Sequence, residues 1–189
     1  TTKVCKNCDL TNAMLQGYNL PQAEVEGSDF SGANMSGTQF EGGNFKNTTL
    51  VNTTFSSSLL KNADFSGSNA QGALFVNTHL HFSKFVGANL SGANFNFSTP
   101  YQTDFSEANI EGTIFNHADL LSTNFKGAQG ELLRDDRTNF CCTIMPDGSI
   151  ETIFGYKCDH QQTSSCNLPA TIRYRDGSSR QTVYTGRQE

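Results

Sequence analysis

The chain has no tryptophan, only four prolines in 189 residues, and no arginine before Arg134. Cysteine is missing between Cys8 and Cys141. No run of eighteen apolar residues occurs, which excludes an ordinary membrane-spanning helix. Thirteen basic residues face eighteen acidic ones, a net charge of −5, so the basic footprint of a nucleic-acid binder is lacking. No glycine-rich phosphate loop and no recurring pair of carboxylates is found. His79, His81 and His117 stand singly, and no nucleophile is spaced to use them. Together these absences exclude a recognisable enzyme and call for no cofactor and no metal.

What is present is a period. From Cys5 to Phe125 every fifth residue is large and apolar except Ala70 and Pro100, and the residue two places earlier, from Cys8 onward, is small except Tyr18. AlaAsnMetSerGly at 33–37, AlaAspPheSerGly at 63–67 and AlaAsnLeuSerGly at 88–92 share one phase. Five matches neither the 3.6 of a helix nor the 2 of a strand, so the chain must turn a corner in each unit to keep its apolar residue inside. The glycines at 67, 72, 87 and 92 are then corner residues. The Asn-x-Ser/Thr sequons at Asn34, Asn47, Asn52, Asn89 and Asn96 carry little information, because the unit itself generates AsnLeuSer.

Four units per square coil would stack residue n on residue n+20. Phe45, Phe65, Phe85, Phe105 and Phe125 then share one face and Phe55, Phe75, Phe95 and Phe115 the opposite one. Leu50, Leu90 and Ile110, and Leu60, Leu80 and Leu120, occupy the other two. This arrangement predicts rings stacked on rings, with Ala, Ser and Thr tucked between. It leaves a filled axis and no channel.

These units resemble the pentapeptide-repeat family, whose unit is A(D/N)LXX, over residues 5 to 128. The resemblance implies an all-β fold, a right-handed, four-sided parallel β-helix of about six coils and about 30 Å in length at the spacing of neighbouring strands. A solenoid has open ends, so caps are expected at both. Residues 1–128 form the expected β-helix and 129–189 a C-terminal segment. There GlyGluLeuLeuArgAspAspArg at 130–137 predicts a short helical cap, and Thr138-Asn139-Phe140 looks like an isolated repeat core. MetProAspGlySer at 145–149 and ArgAspGlySer at 175–178 mark turns, the second inside a hairpin of 170–175 with 181–185.

The cysteines bracket the repeats. Cys5 and Cys8 sit inward in the first coil, and Cys141, Cys142, Cys158 and Cys166 lie in the tail. Such placement predicts disulfides pinning the two ends in an oxidising compartment. Cys141 and Cys142 joined to Cys158 and Cys166 is the expected tail arrangement, although spacing alone does not fix the pairing. Free thiols packed as small core residues are the alternative. Cys5-x-x-Cys8 lacks the helical setting of a redox dithiol. Cys158, His160, Cys142 and Cys166 lack a usual zinc-finger spacing.

Where the register is violated, outward aromatics occur. His81, Phe82, Phe97, Tyr101 and Leu121 would form an apolar spot on a polar rod, near the irregular centre Pro100, and are the candidate partner-binding residues. The alternative is that they are isolated exposed side chains or are covered by the tail.

The resemblance implies a non-enzymatic binding or scaffold role, with protein partners and a monomeric or weakly dimeric state. ValCysLysAsnCysAspLeu at 4–10 and PheCysCysThrIleMetProAspGly at 140–148 look like extracytoplasmic members from cyanobacteria and the thylakoid lumen, or a periplasmic equivalent. A second subtype, the quinolone-resistance group, mimics DNA to occupy DNA gyrase, and would need a continuous acidic stripe. Here the column Glu24, Asn44, Asp64, Lys84, Asp104 mixes charges. A structural secreted repeat protein is the third reading.

Overall fold

Each five-residue unit closes a turn. In nearly every unit the N–H three residues beyond the centre donates to the centre carbonyl, as from Ala33 to Phe30 (2.8 Å) and from Ala93 to Leu90 (2.8 Å). The residue two beyond the centre holds a left-handed φ, 69° at Gly32, 56° at Asn52 and 67° at Gly92. A type II turn demands this at its third position, which is why Gly and Asn recur there. The Asp or Asn before each centre fixes the same corner, its Oδ1 accepting the N–H two residues on, as between Asp64 and Ser66 (3.0 Å) or Asn89 and Ser91 (3.2 Å). The Asn or Asp of the motif therefore serves local turn chemistry.

A computed structural model of the chain describes residues 3–151 and the strands Ala170–Arg173 and Ser179–Thr182. Its units stack with a twenty-residue period. Parallel pairs run from Val4–Glu24 through Asn34–Thr54 and Asn69–Asn89 to Asn124–Ile144. The rod is thus a four-sided parallel coil, with one short strand position per face. The pair Thr99–Asp119 is missing from that series. Pro100 has no N–H to send to the next coil, so one ladder bond is lost there. Asp119 still donates its N–H to Ser98 O (3.0 Å).

The core is filled by ring columns. Phe45, Phe65, Phe85, Phe105 and Phe125 stack at centroid spacings of 4.7, 4.7, 5.0 and 5.0 Å. Phe55, Phe75, Phe95 and Phe115 stack at 5.2, 4.6 and 5.0 Å. Across the axis the two columns meet edge to face, as Phe85 and Phe95 do at 85°, so each ring has favourable partners in two directions. Between them the buried hydroxyls find acceptors one coil back. Thr53 donates to Phe30 O (2.7 Å), Thr103 to Leu80 O (2.8 Å) and Thr143 to Leu120 O (2.6 Å).

Past residue 128 the coil continues, and the expected helical cap at 130–137 is replaced. Among the described residues no helix is found, and Leu133 pairs with Ile114 and Asn139 with Asp119. From Gln129 the next paired positions come after four residues and then after six, so a short unit is compensated by a long one. Gly130, with φ 102°, starts the shortened corner, and a Cβ there would lie 2.6 Å from the Glu111 nitrogen. A helix would have pulled Leu133 off the ladder; the pairing energy of the coil wins. Phe140 is consequently a buried core ring rather than an isolated one.

The end of the described rod is closed on one face by a small hairpin. β1 (Thr143–Ile144) pairs antiparallel with β2 (Ile150–Glu151) through the expected turn at 145–149, where Gly148 N–H donates to Met145 O (2.9 Å). Arg134 lies 4.2 Å over the Phe140 ring and sends both terminal nitrogens to Glu151 Oε1 (3.1 Å each). β3 (Ala170–Arg173) and β4 (Ser179–Thr182) form the expected antiparallel hairpin, with its second strand starting earlier than residue 181. Among the described residues no helix is long and apolar enough to cross a membrane.

Candidate functional site

The irregular aromatics are placed by the corners. Phe82 and Phe97 occupy the turn position that takes Gly or Asn at most other corners and Gln, Ser, Glu or His at the rest, with φ of 63° and 60°. A bulky side chain in this region is strained by roughly 1–2 kcal/mol. The turn points it outward, leaving Phe82 41% and Phe97 54% exposed.

Around Phe82 a cluster forms. Its ring meets Tyr101 edge-on at 5.6 Å, Tyr101 meets His81 at 5.8 Å, and His81 meets Phe82 at 6.5 Å. Lys61 caps the Phe82 ring at 5.8 Å. Leu121, one coil beyond Tyr101, is half-buried, and its carbonyl accepts the Gln102 N–H (3.0 Å). Phe97 does not join this cluster. It sits on the preceding corner, across the face bearing His79, Thr99 and Asp119, and packs on His117 at 4.7 Å.

The face between those two corners holds polar groups that the sequence reading treated singly. Thr99 Oγ1 lies 3.1 Å from His81 Nε2 and 3.3 Å from His79 Nδ1, linking the two rings. Burial first, then the nearby His79 and Lys61 charges, lower the His81 pKa below its usual 6.5, against a smaller opposing pull from Asp119. His117 Nδ1 approaches Asp135 Oδ2 at 2.7 Å, off the line of a ring hydrogen bond, a contact that is an ion pair only when the ring is protonated. Arg137 Nη1 lies 3.3 Å from the other ring nitrogen. Burial would raise the Asp135 pKa, but N–H groups of His117 and Arg137, the Thr138 hydroxyl and the His117 charge together hold it down. Reading the n+20 columns for polar as well as apolar residues would have found Phe97 over His117 and His79 under Thr99.

At the ends, Cys5 is disulfide-bonded to Cys8, closing the first corner of the rod. Cys141 and Cys142 are both disulfide-bonded. Cys158 and Cys166, with His160, lie outside the described residues. No group of three His, Cys, Asp or Glu suited to a metal ion occurs among the described residues.

The model of the pentapeptide repeats matches eight copies, spanning residues 8–96 and 102–129, more than half of the chain. The chain belongs to the pentapeptide-repeat family. Members of this family form right-handed β-helices, which gives the hand of the coil described above. The gap in the match, 97–101, contains Phe97, Pro100 and Tyr101. No curated protein sequence matches this pentapeptide-repeat chain. Solved structures similar to it include QnrB1, a plasmid-mediated fluoroquinolone resistance protein, at 18% identity and a TM-score of 0.42, covering 90% of each chain. HetL, a pentapeptide-repeat protein involved in heterocyst differentiation regulation from the cyanobacterium Nostoc, is 18% identical, covers 77% of this chain and 92% of its own, and gives a TM-score of 0.21. A pentapeptide-repeat protein of the Arabidopsis thaliana thylakoid lumen is 21% identical, covers 74% and 81%, and gives 0.21.

Proposed function

We propose that this pentapeptide-repeat rod is a non-enzymatic protein-interaction or scaffold module, and that the face bounded by Phe82 with Tyr101 on one corner and Phe97 with His117 on the other is its contact surface. The observation that carries the reading is the strained backbone of Phe82 and Phe97. Asn62, Asn77 and Gly87 show that the same turn is made without an aromatic ring, so the rings are retained at a cost in stability, and strain of this kind clusters at functional positions. Exposed aromatics beside a cationic side chain are characteristic anchors of protein interfaces.

The disulfides at both ends support an oxidising extracytoplasmic setting, thylakoid lumen or periplasm. DNA mimicry is disfavoured by Lys46 neutralising Asp64 at 3.2 Å and by Lys6 lying 3.7 Å from both Glu24 and Glu26. The test is Phe82→Asn with Phe97→Asn. Relief of strain should hold or raise stability by about 1 kcal/mol, while proteins retained by the wild-type chain from an extract of its native compartment should be lost. An unchanged retained set overturns the proposed surface. Inhibition of gyrase supercoiling by the purified chain would instead restore the DNA-mimic reading.

A further inference from the structure

Each unit turns its centre inward and the residues on either side of it outward, as an extended segment does. His79 and His81 therefore stand on one side of the chain, with Leu80 buried between them. The next coil sets Thr99 against His79 as a parallel pair, and its hydroxyl is approached from two directions. His79 Nδ1 lies 3.3 Å and His81 Nε2 3.1 Å from the same Oγ1. Two ring nitrogens are thus aimed at one point, from rings whose centroids are 6.2 Å apart at an interplanar angle of 77°. His79 is exposed and His81 half-buried, so that point is open to water.

A hydroxyl carries one proton and can satisfy only one nitrogen lone pair. The second ring must turn an N–H toward Thr99 instead. An electron-pair acceptor placed between the rings would use both lone pairs at once, and neutral imidazole is the commonest protein ligand for a metal ion. Bonds from such an ion to nitrogen, roughly 2.0–2.1 Å, are shorter than the contacts to Thr99. The rings need only rotate, because the backbone is held on both sides, His79 N–H donating to Ser58 O (3.0 Å) and Asn62 N–H to His81 O (2.9 Å). Thiolate is no rival among the described residues, since Cys5, Cys8, Cys141 and Cys142 are all disulfide-bonded. The positive charge of Lys61 beside His81 is opposed by the Asp119 carboxylate, so no field of one sign repels a cation.

We propose that His79 and His81 form a two-histidine chelate for a single divalent first-row transition-metal ion. Two imidazoles are too few for a closed structural site, and water fills the remaining positions. Nitrogen donors rank such ions with Cu²⁺ highest and Ni²⁺ and Zn²⁺ below it, whereas the hard ions Mg²⁺ and Ca²⁺ prefer oxygen and are not bound. The site needs no protein partner, so it stands apart from the contact role proposed for this face.

Calorimetric titration of Cu²⁺ alone into the full chain, after chelator treatment and with its disulfides intact, tests this. One equivalent should bind, and electron paramagnetic resonance of the complex should show coupling to two imidazole nitrogens. Losing a ligand should cost at least the roughly tenfold in affinity that follows loss of a ligand's supporting partner. His79→Gln and His81→Gln should each weaken the site by that factor or more, while His117→Gln should bind as the wild type does. The two-nitrogen spectrum is read on the wild-type chain and depends on neither variant folding. No bound copper, a spectrum without two imidazole nitrogens, a site that survives both substitutions, or one that Mg²⁺ displaces overturns the proposal.

Discussion

Single residues in the small columns report how tightly the rod is packed. Ser68 Oγ is buried without a partner. The carbonyl it would use by the pattern of its neighbours, Phe45 O, already accepts the Thr48 hydroxyl at 2.7 Å and the Thr48 N–H at 3.3 Å. Ala88 and Ala108 fill the same column, so Ser68→Ala should stabilise the protein by about 1 kcal/mol in urea unfolding, because an unsatisfied buried hydroxyl is removed. Gly43 shows the opposite limit. A Cβ there would lie 2.9 Å from Phe45 Cε2 and 3.0 Å from Phe40 O. Phe40 stands in a column otherwise rich in leucine, and its ring meets Phe45 edge-on at 5.1 Å. Gly43→Ala should therefore cost about 1–3 kcal/mol by overpacking. Most of that loss should disappear when the change is made in a Phe40→Leu background, measured as a double-mutant cycle. The need for something small at 43 was legible in the sequence; the reason for glycine was not, because it depends on two rings meeting across a corner.

At the level of elements, the coils follow directly from the five-residue period, whereas the end of the described rod does not. Nothing local in GlyGluLeuLeuArgAspAspArg at 130–137 announces a four-residue unit followed by a six-residue one. Its composition favours a helical turn, and only stacking on Ile114 and Asp119 overrides that preference. The Arg134–Glu151 pair was equally hidden, since it joins residues on either side of the β1–β2 turn. Glu151 is nearly fully buried while Arg134 remains partly in water. Arg134→Ala should cost about 2–3 kcal/mol, somewhat below the range for a fully buried pair. The lost contact with Phe140 contributes to that cost. Replacing both members, Arg134→Met with Glu151→Leu, should recover much of it, since apolar groups there leave no unpaired carboxylate. Thermal unfolding monitored by circular dichroism would decide; equal losses in the single and double variants would show that the charge pair is immaterial.

For the molecule as a whole, the three described histidines gathered on one side make acidity the relevant variable. His81 has its pKa depressed by burial and by His79 and Lys61, so the folded state binds fewer protons than the unfolded chain as pH falls below 6.5. The contribution of this residue is thus complete above that value and is lost as pH drops through the lower folded value. The His81 resonance should titrate below 6.5, and Lys61→Gln should move its midpoint upward. In His81→Gln the fall of melting temperature from neutral to mildly acidic pH should be shallower than in the wild type. The candidate surface was only half legible from the sequence. His81, Phe82 and Tyr101 are brought together, but Phe97 stands on another corner, and the Thr99 link between two histidines needed coordinates to be seen. The compensated slip between Gln129 and Asn139 bears on how such a gene can lengthen. Duplication of five codons keeps apolar residues inside but rotates every later ring onto a leucine side. Duplication of twenty leaves both rings and turns in place. A lost codon is tolerated when an extra one follows in the next unit, so the unit of inheritance in this rod is the whole circuit of the coil, with single-residue errors corrected within it.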